Sequence, residues 1–201
     1  MAQTINLNRF SIRFPGLNDK LMNKAPVSSL FGIQQRYEAV KNALGSDPGN
    51  SLELSLFSAK IPNVAIEKVD LAHFNDSIKA VTKFTPMEDM SIVFYDYVNG
   101  SASAIMLLWH AFVGDKKTGA IGFKQDFVLP KAHFYVYGPD APGYSDEFAD
   151  TNGIPWLQKY EIVNIFPLVI DFGEHSQDSA EVRKVTVTFA ADNCLPLPLS
   201  I

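Results

Sequence analysis

Apolar and polar side chains alternate along most of this chain, and that two-residue period predicts strands with one buried face and one face in water. Ile5 to Phe14 alternates through Leu7, Arg9, Ser11 and Arg13 and stops at Pro15-Gly16, which predicts a first strand. The spacing changes in "SSLFGIQQRYEAVKNALG", where Leu30, Ile33, Tyr37, Val40 and Leu44 recur every three or four residues. An amphipathic helix is predicted there, capped by Ser28 or Ser29 and ended by Gly45. In "SLELSLFSAKIP", Leu52, Leu54 and Leu56 alternate with Glu53, Ser55 and Phe57, which predicts a two-faced strand ended by Pro62. The segments on either side of Asn75-Asp76 read as a hairpin spanning Asn63 to Phe84.

"MSIVFYDYV" reads as a strand leading into "NGSASAIMLLWHAFVGD", a helix capped by Asn99 or Ser101 and closed by Gly114. Ile105, Met106, Trp109, Phe112 and Val113 form a broad apolar face on it, with Leu108 beside them, so it should be covered on most sides. "FKQDFVLPKAHFYVYG" reads as a strand in which Pro130 demands a bend or an edge position. An acidic loop rich in glycine and proline follows, and the chain closes with the strands of "YEIVNIFPLVIDFGE" and "EVRKVTVTFAAD". The expected architecture is mainly antiparallel β with one well-buried helix.

The 201 residues, 47% of them hydrophobic and 19% charged, suffice for a sizeable core. A formal charge of -5 speaks against a duplex-DNA binder, which concentrates lysine and arginine. Cys194 is the single cysteine, so neither an intrachain disulfide nor a thiolate zinc site is expected. The N-terminus lacks the continuous apolar core of a signal peptide, and "AIMLLWHAFV" falls far short of the roughly 20 residues that span a bilayer. A soluble protein with no membrane association is expected.

Candidate chemistry thins out on inspection. "HAFVGDKKTGAIGFKQDF" has Gly114 and Gly119 at the spacing of a phosphate-binding loop, but Ala120 and Ile121 stand where lysine and a hydroxyl residue must be. The loop also follows a helix, whose negative dipole end would repel phosphate. Asp140, Asp146, Glu147 and Asp150 do not have the alternate spacing of a calcium loop. His73, His110, His133 and His175 form no pair at ligand spacing, and there is no G-x-S-x-G elbow. "HFYVYG" has too few cations nearby for a base-stacking platform, so Phe134 and Tyr135 read as sheet packing. No catalytic residue, cofactor or metal is expected.

Two blocks carry a resemblance. "LFSAKIPNVAIEKVDLAHFNDSIKAVTKFTPMEDMSIVFYD" and "YEIVNIFPLVIDFGEHSQDSAEVRKVTVTFAADNC", with the helix between them, resemble the tail tube proteins of contractile-tailed bacteriophages in the order and spacing of their elements. The tube proteins of type VI secretion and of extracellular injection machines look like the same fold. The resemblance implies an antiparallel β-sandwich or barrel with one flanking helix over 51–194. A loop insertion at 138–155, an N-terminal strand–helix extension over 1–50 and a tail at 195–201 depart from the family pattern. It further implies a non-enzymatic structural subunit of a virion tail, assembled in the host cytoplasm. Six copies would form rings that stack inside a sheath, with tape measure, baseplate and tail terminator proteins as partners and DNA passing without specific binding through an acidic lumen during ejection. The alternatives are a tube subunit of a secretion or injection system and an unrelated β-sandwich binding module.

Within this reading Glu67 and Asp70 are candidates for lumen-facing charge, and Lys68, Lys79 and Lys83 for pairing with neighbouring subunits. Asp115, Lys116 and Lys117 are expected to meet a neighbouring ring or the sheath through salt-sensitive pairs. Leu197 and Leu199 belong to a proline-interrupted tail expected to dock, without regular ladder pairing, on the domain or on a neighbour.

Overall fold

In the computed structural model, the described residues are 10–23, 48–61, 66–73, 76–84, 87–96, 101–115, 118–137, 156–173 and 182–197. The predicted helix at 28–45 and the acidic loop at 138–155 lie outside them. The elements are β1 (Phe10–Arg13), α1 (Leu17–Asn23), α2 (Pro48–Ser55), β2 (Leu56–Lys60), β3 (Ile66–His73), β4 (Asp76–Phe84), β5 (Met90–Tyr95), α3 (Ser101–Val113), α4 (Lys124–Phe127), β6 (Leu129–Tyr137), β7 (Trp156–Asp171), β8 (Lys184–Ala190) and β9 (Asn193–Leu197).

The strands make an antiparallel β-sandwich whose two halves share β7, with α3 as the flanking helix. The first half of β7 pairs with β6 and β9, from Trp156 to Ile165, and its second half pairs with β8, from Phe166 to Asp171. The first sheet therefore holds β1, β6, β7 and β9, and the second holds β2, β5, β8 and the end of β7. The strand changes sheets at Asn164, whose φ of 58° is unusual for a residue with a side chain. Asn164 Nδ2 donates to Asp192 Oδ2 at 2.7 Å, and Lys124 Nζ donates to both Asp192 oxygens, so the switch point is clasped from three elements.

The core lies between the sheets and under α3. Met90, Ile92 and Phe94 from β5, Val185, Val187 and Phe189 from β8, and Ile105, Met106 and Trp109 from α3 are buried together. Trp109 sits at the centre: its ring meets Phe14 edge-on and Phe189 at a tilt, both with centroids at 5.7 Å. Its Nε1–H donates to Phe127 O at 2.7 Å, which gives the buried indole its polar partner. Ile12, Phe14, Leu17 and Leu21 enter the same core, and β1 pairs with β6.

Several expectations are corrected. The first half of "SLELSLFSAKIP" is helical, because Leu52 and Ser55, three residues apart, are buried while Leu54 is 73% exposed. Ser55 Oγ donates back to Leu52 O at 2.9 Å, and Pro48 stands at the first helical position, where its missing N–H leaves no gap. "FKQDF" is not strand but the one-turn helix α4, and β6 begins at Leu129. Pro130 occupies an interior strand, tolerated because the ladder passes from Leu129↔Ile165 to Lys131↔Val163 and skips it opposite Asn164. The tail does join a ladder: Cys194 pairs with Ile162, Pro196 with Tyr160 and Leu197 with Lys159. Among the described residues β9 has only β7 beside it, and a proline is accommodated on an edge strand when its nitrogen points away from the partner.

Candidate assembly surface

The outward face of the second sheet is set by strand alternation. With Ile92, Phe94, Val185 and Val187 on the core, Ser58, Ser91, Val93, Thr186 and Thr188 point outward and are partly exposed. This face is mostly uncharged and hydroxylated, with Lys60 on β2 and Asp171 on β7 at its two margins. Phe57 joins it beside the β2 irregularity: its ring meets Tyr95 edge-on at 4.9 Å and Lys184 Nζ lies 4.4 Å above it. Both margins are open in the described registers, since β2 pairs with β5 alone and the second half of β7 with β8 alone.

The outward face of the first sheet differs. Tyr135 is 4% exposed, held between the Arg13 guanidinium at 5.5 Å and Lys159 Nζ at 5.3 Å, and Arg13 Nε donates to Glu53 of α2. A ring so enclosed is packing, as expected for "HFYVYG", and offers no stacking platform. His133 stands beside Glu161, with Nε2 3.7 Å from Oε2, while Lys131 pairs with the same carboxylate at 3.0 Å. Burial first and the Lys159 charge second pull the His133 pKa below its ordinary 6.5, and Glu161 opposes them. The folded state thus favours neutral His133. Its stabilising effect is complete above pH 6.5 and declines as pH falls from there toward the lowered folded value, because the unfolded chain takes up the proton more readily. His133→Gln is expected to flatten the fall in thermal midpoint between pH 7.5 and 5; an unchanged slope would assign that fall to other groups.

Among the described residues, the hairpin β3–β4 stands outside both sheets and pairs only within itself. Glu67 faces Lys83 and Asp70 faces Lys79 across it, so each candidate acid has a cation opposite. Strand alternation sends Val69 and Leu71 to one face and Lys68 and Asp70 to the other, and the register shifts between Glu67 and Lys68. Val69, Leu71 and Val81 are 40%, 51% and 72% exposed.

In the turn after α3, Asp115 is 5% exposed and accepts from Thr118 Oγ1 at 3.0 Å. Asp115 N donates to Ala120 O, Gly119 N to Asp115 O and Gly122 N to Val113 O, with Gly119 at φ 71° where a side chain would be strained. Asp115 is thus a brace of the turn, which holds Ile121 and Phe123 in solvent at 82% and 77% exposure. Lys116, Lys117 and Leu199 lie outside the described residues, and Leu197 is half-buried on β9. Sequence reasoning missed Asp96. This carboxylate is 5% exposed, accepts from Ser103 N of α3 at 3.3 Å and faces Arg183 Nη1 at 3.5 Å. An acidic residue at a helix start was its only available signal, and it precedes the helix by more residues than a local cap.

No protein-family model matches the chain, and no curated protein sequence matches it. Solved structures do. A chain in the anti-feeding prophage cap, described as a tube-terminating cap, superposes with a TM-score of 0.56 at 10% identity, covering 98% of this chain and 93% of that one. A chain of the sheath–tube complex of an extracellular contractile injection system in its extended state gives 0.51 at 8% identity, over 72% and 81%. One from the sheath/tube terminator of that system gives 0.51 at 8%, over 71% and 85%.

Proposed function

We propose that this chain, which has the tail-tube-type fold, is a structural subunit of the tube of a contractile injection machine. Copies join side by side into a ring, and rings stack into a tube held within a sheath. The observation that carries this reading is the second sheet. Its four strands run β2, β5, β8, β7 in alternating directions, so the open edges of β2 and β7 are antiparallel to each other when one copy is placed beside the next. Heterologous edge pairing that closes by rotation removes exposed edges that would be a hazard in a monomer. The mostly uncharged, hydroxylated face then lines the channel. Six copies, as in the resembling tail tubes, make a ring about 100 Å wide, from the scaling of domain radius with length.

In the phage form of this reading the subunit belongs to a virion tail assembled in the host cytoplasm. DNA follows a tape measure protein through the lumen, and baseplate and terminator proteins close the ends. The overall charge of -5 suits a conduit that must not retain a polyanion. Glu67 and Asp70 border the lumen where the hairpin lies along the channel, and Lys68, Lys79 and Lys83 meet adjoining subunits. Coverage favours a second reading: the cap structure matches over 98% of the chain against 72% for the sheath–tube complex, in keeping with a subunit that ends a tube.

Electron microscopy of the purified protein at high concentration tests both. Repeating tubes are expected of a tube subunit, and single rings that bind the end of a preformed tube are expected of a terminator. A protein that stays strictly monomeric by light scattering would refute ring assembly.

A further inference from the structure

The registers of the second sheet align its side chains in rows that run from one open edge to the other. Lys60, Ser91, Thr188 and Val169 make one outward row, and Ser58, Val93, Thr186 and Asp171 make the next. The row between them, Ala59, Ile92, Val187 and Ile170, faces the core. β2 carries one charge, Lys60, and the second half of β7 carries one, Asp171. The two are opposite in sign, share a face and stand on opposite edges. Both are exposed, and among the described residues Lys60 has no ion-pair partner while Asp171 accepts only from Gly173 N, at 2.9 Å. Opposite charges do lie one strand further in, Asp89 two residues before Ser91 and Lys184 two residues before Thr186. Neither comes within ion-pairing distance of Lys60 or Asp171, and the Lys184 ammonium lies instead over the Phe57 ring at 4.4 Å.

A second copy placed alongside, with its β2 antiparallel to the second half of β7, supplies each charge with the other. Where the rows run straight across the junction, Ser58 of the second copy lies opposite Asp171 and Lys60 lies on the diagonal, within reach of a lysine side chain. Closing strands into a barrel requires a stagger. It must be an even number of residues, since a slip of one would turn Ala59 to the channel and Ser58 to the core. A two-residue stagger in one sense sets Lys60 directly opposite Asp171. The same stagger in the other sense parts them by four residues, about 13 Å along the strand.

We propose that Lys60 of each copy pairs with Asp171 of the next, and that this ion pair fixes the sense in which the ring is staggered. This rests on the ring reading and adds the register and the chemistry of its junction. Backbone ladder bonds are alike in every register, so they hold two edges together without choosing an offset. A lone charge on each edge does choose, because only one sense of stagger brings the two together. The pair also enforces direction. Copies that met at like edges would have only lysine, or only aspartate, on both sides of the junction, so a two-fold dimer is disfavoured and the head-to-tail contact that closes a ring is selected.

Mixing two variants tests the pairing, read by light scattering and electron microscopy as the concentration at which rings form. Lys60→Asp leaves both edges acidic and Asp171→Lys leaves both basic, so each alone is expected to raise that concentration about tenfold. Mixed in equal amounts, the two are expected to assemble as the wild type does, because copies that alternate round an even-membered ring restore a lysine–aspartate pair at every junction. The double variant with both exchanges is expected to assemble unaided. Asp171→Asn keeps an acceptor for Gly173 N and removes only the charge, so its effect is expected to be about twofold to threefold and to vanish toward 1 M salt. A role confined to one chain could not be rescued by mixing. Rings untouched by either single exchange, or single variants that fail together as they fail alone, would overturn the proposal while wild-type rings still stand. A wild-type protein that stays monomeric would instead remove the ring reading on which it rests.

Discussion

Trp109→Ala is expected to cost about 3–5 kcal/mol, the range for emptying a large aromatic site in a packed core. The indole is 0% exposed and touches rings from two distant parts of the chain, Phe14 after β1 and Phe189 on β8. Removing it opens a cavity where the N-terminal segment, α3 and the second sheet meet. It also deprives Phe127 O of its donor at 2.7 Å, which adds to the loss. For a domain of this size the midpoint should fall by roughly 6–20 °C. Trp109→Phe keeps most of the apolar volume but not the N–H, so its cost isolates the unpaired carbonyl at about 1–3 kcal/mol. Thermal and urea unfolding measure both, and a Trp109→Ala loss under about 1 kcal/mol would mean that the core collapses around the vacancy.

The second large effect separates neighbours on α2. Leu52→Ala should cost about 2–5 kcal/mol, because Leu52 is 0% exposed in the main core. Leu54→Ala, at 73% exposure, should stay within about 0.5 kcal/mol. A strand through 52–56 would place both leucines on one face and make the two costs similar. Denaturant midpoints of the two variants at unchanged m-value decide the matter.

The misreading of α2 has a simple physical origin. Leu-Glu-Leu-Ser-Leu satisfies a period of two, yet leucine, glutamate and leucine also have high helix propensity, and the burial of Leu52 and Ser55 fits a helix turn. Only the core beneath decided which apolar residues it would accept. The same competition explains α4: "FKQDF" carries no strong period, and Trp109 Nε1–H fixes the Phe127 carbonyl from another element. Pro196 misled in the opposite sense, because an edge position lets a proline keep its ladder on one side.

On the candidate surface, chain-local signals did best where chemistry is local. The hairpin around Asn75-Asp76 was readable from turn residues. The burial of Asp115 was not readable, because Thr118 and the backbone of Ala120 capture it only once the turn has closed.

Alternating patterns determined, without the fold, that β5 and β8 each bury one face, and the apolar density of "AIMLLWHAFV" determined that α3 would be enclosed. Those are properties of residues two to four positions apart, which the backbone geometry of strand and helix imposes directly. Tertiary structure alone decided that β7 serves two sheets. It also decided which strand edges stay open among the described residues, and that Lys124 and Asn164 both reach Asp192. These juxtapositions join residues tens of positions apart. Register and crossover geometry place them, and no local period encodes either.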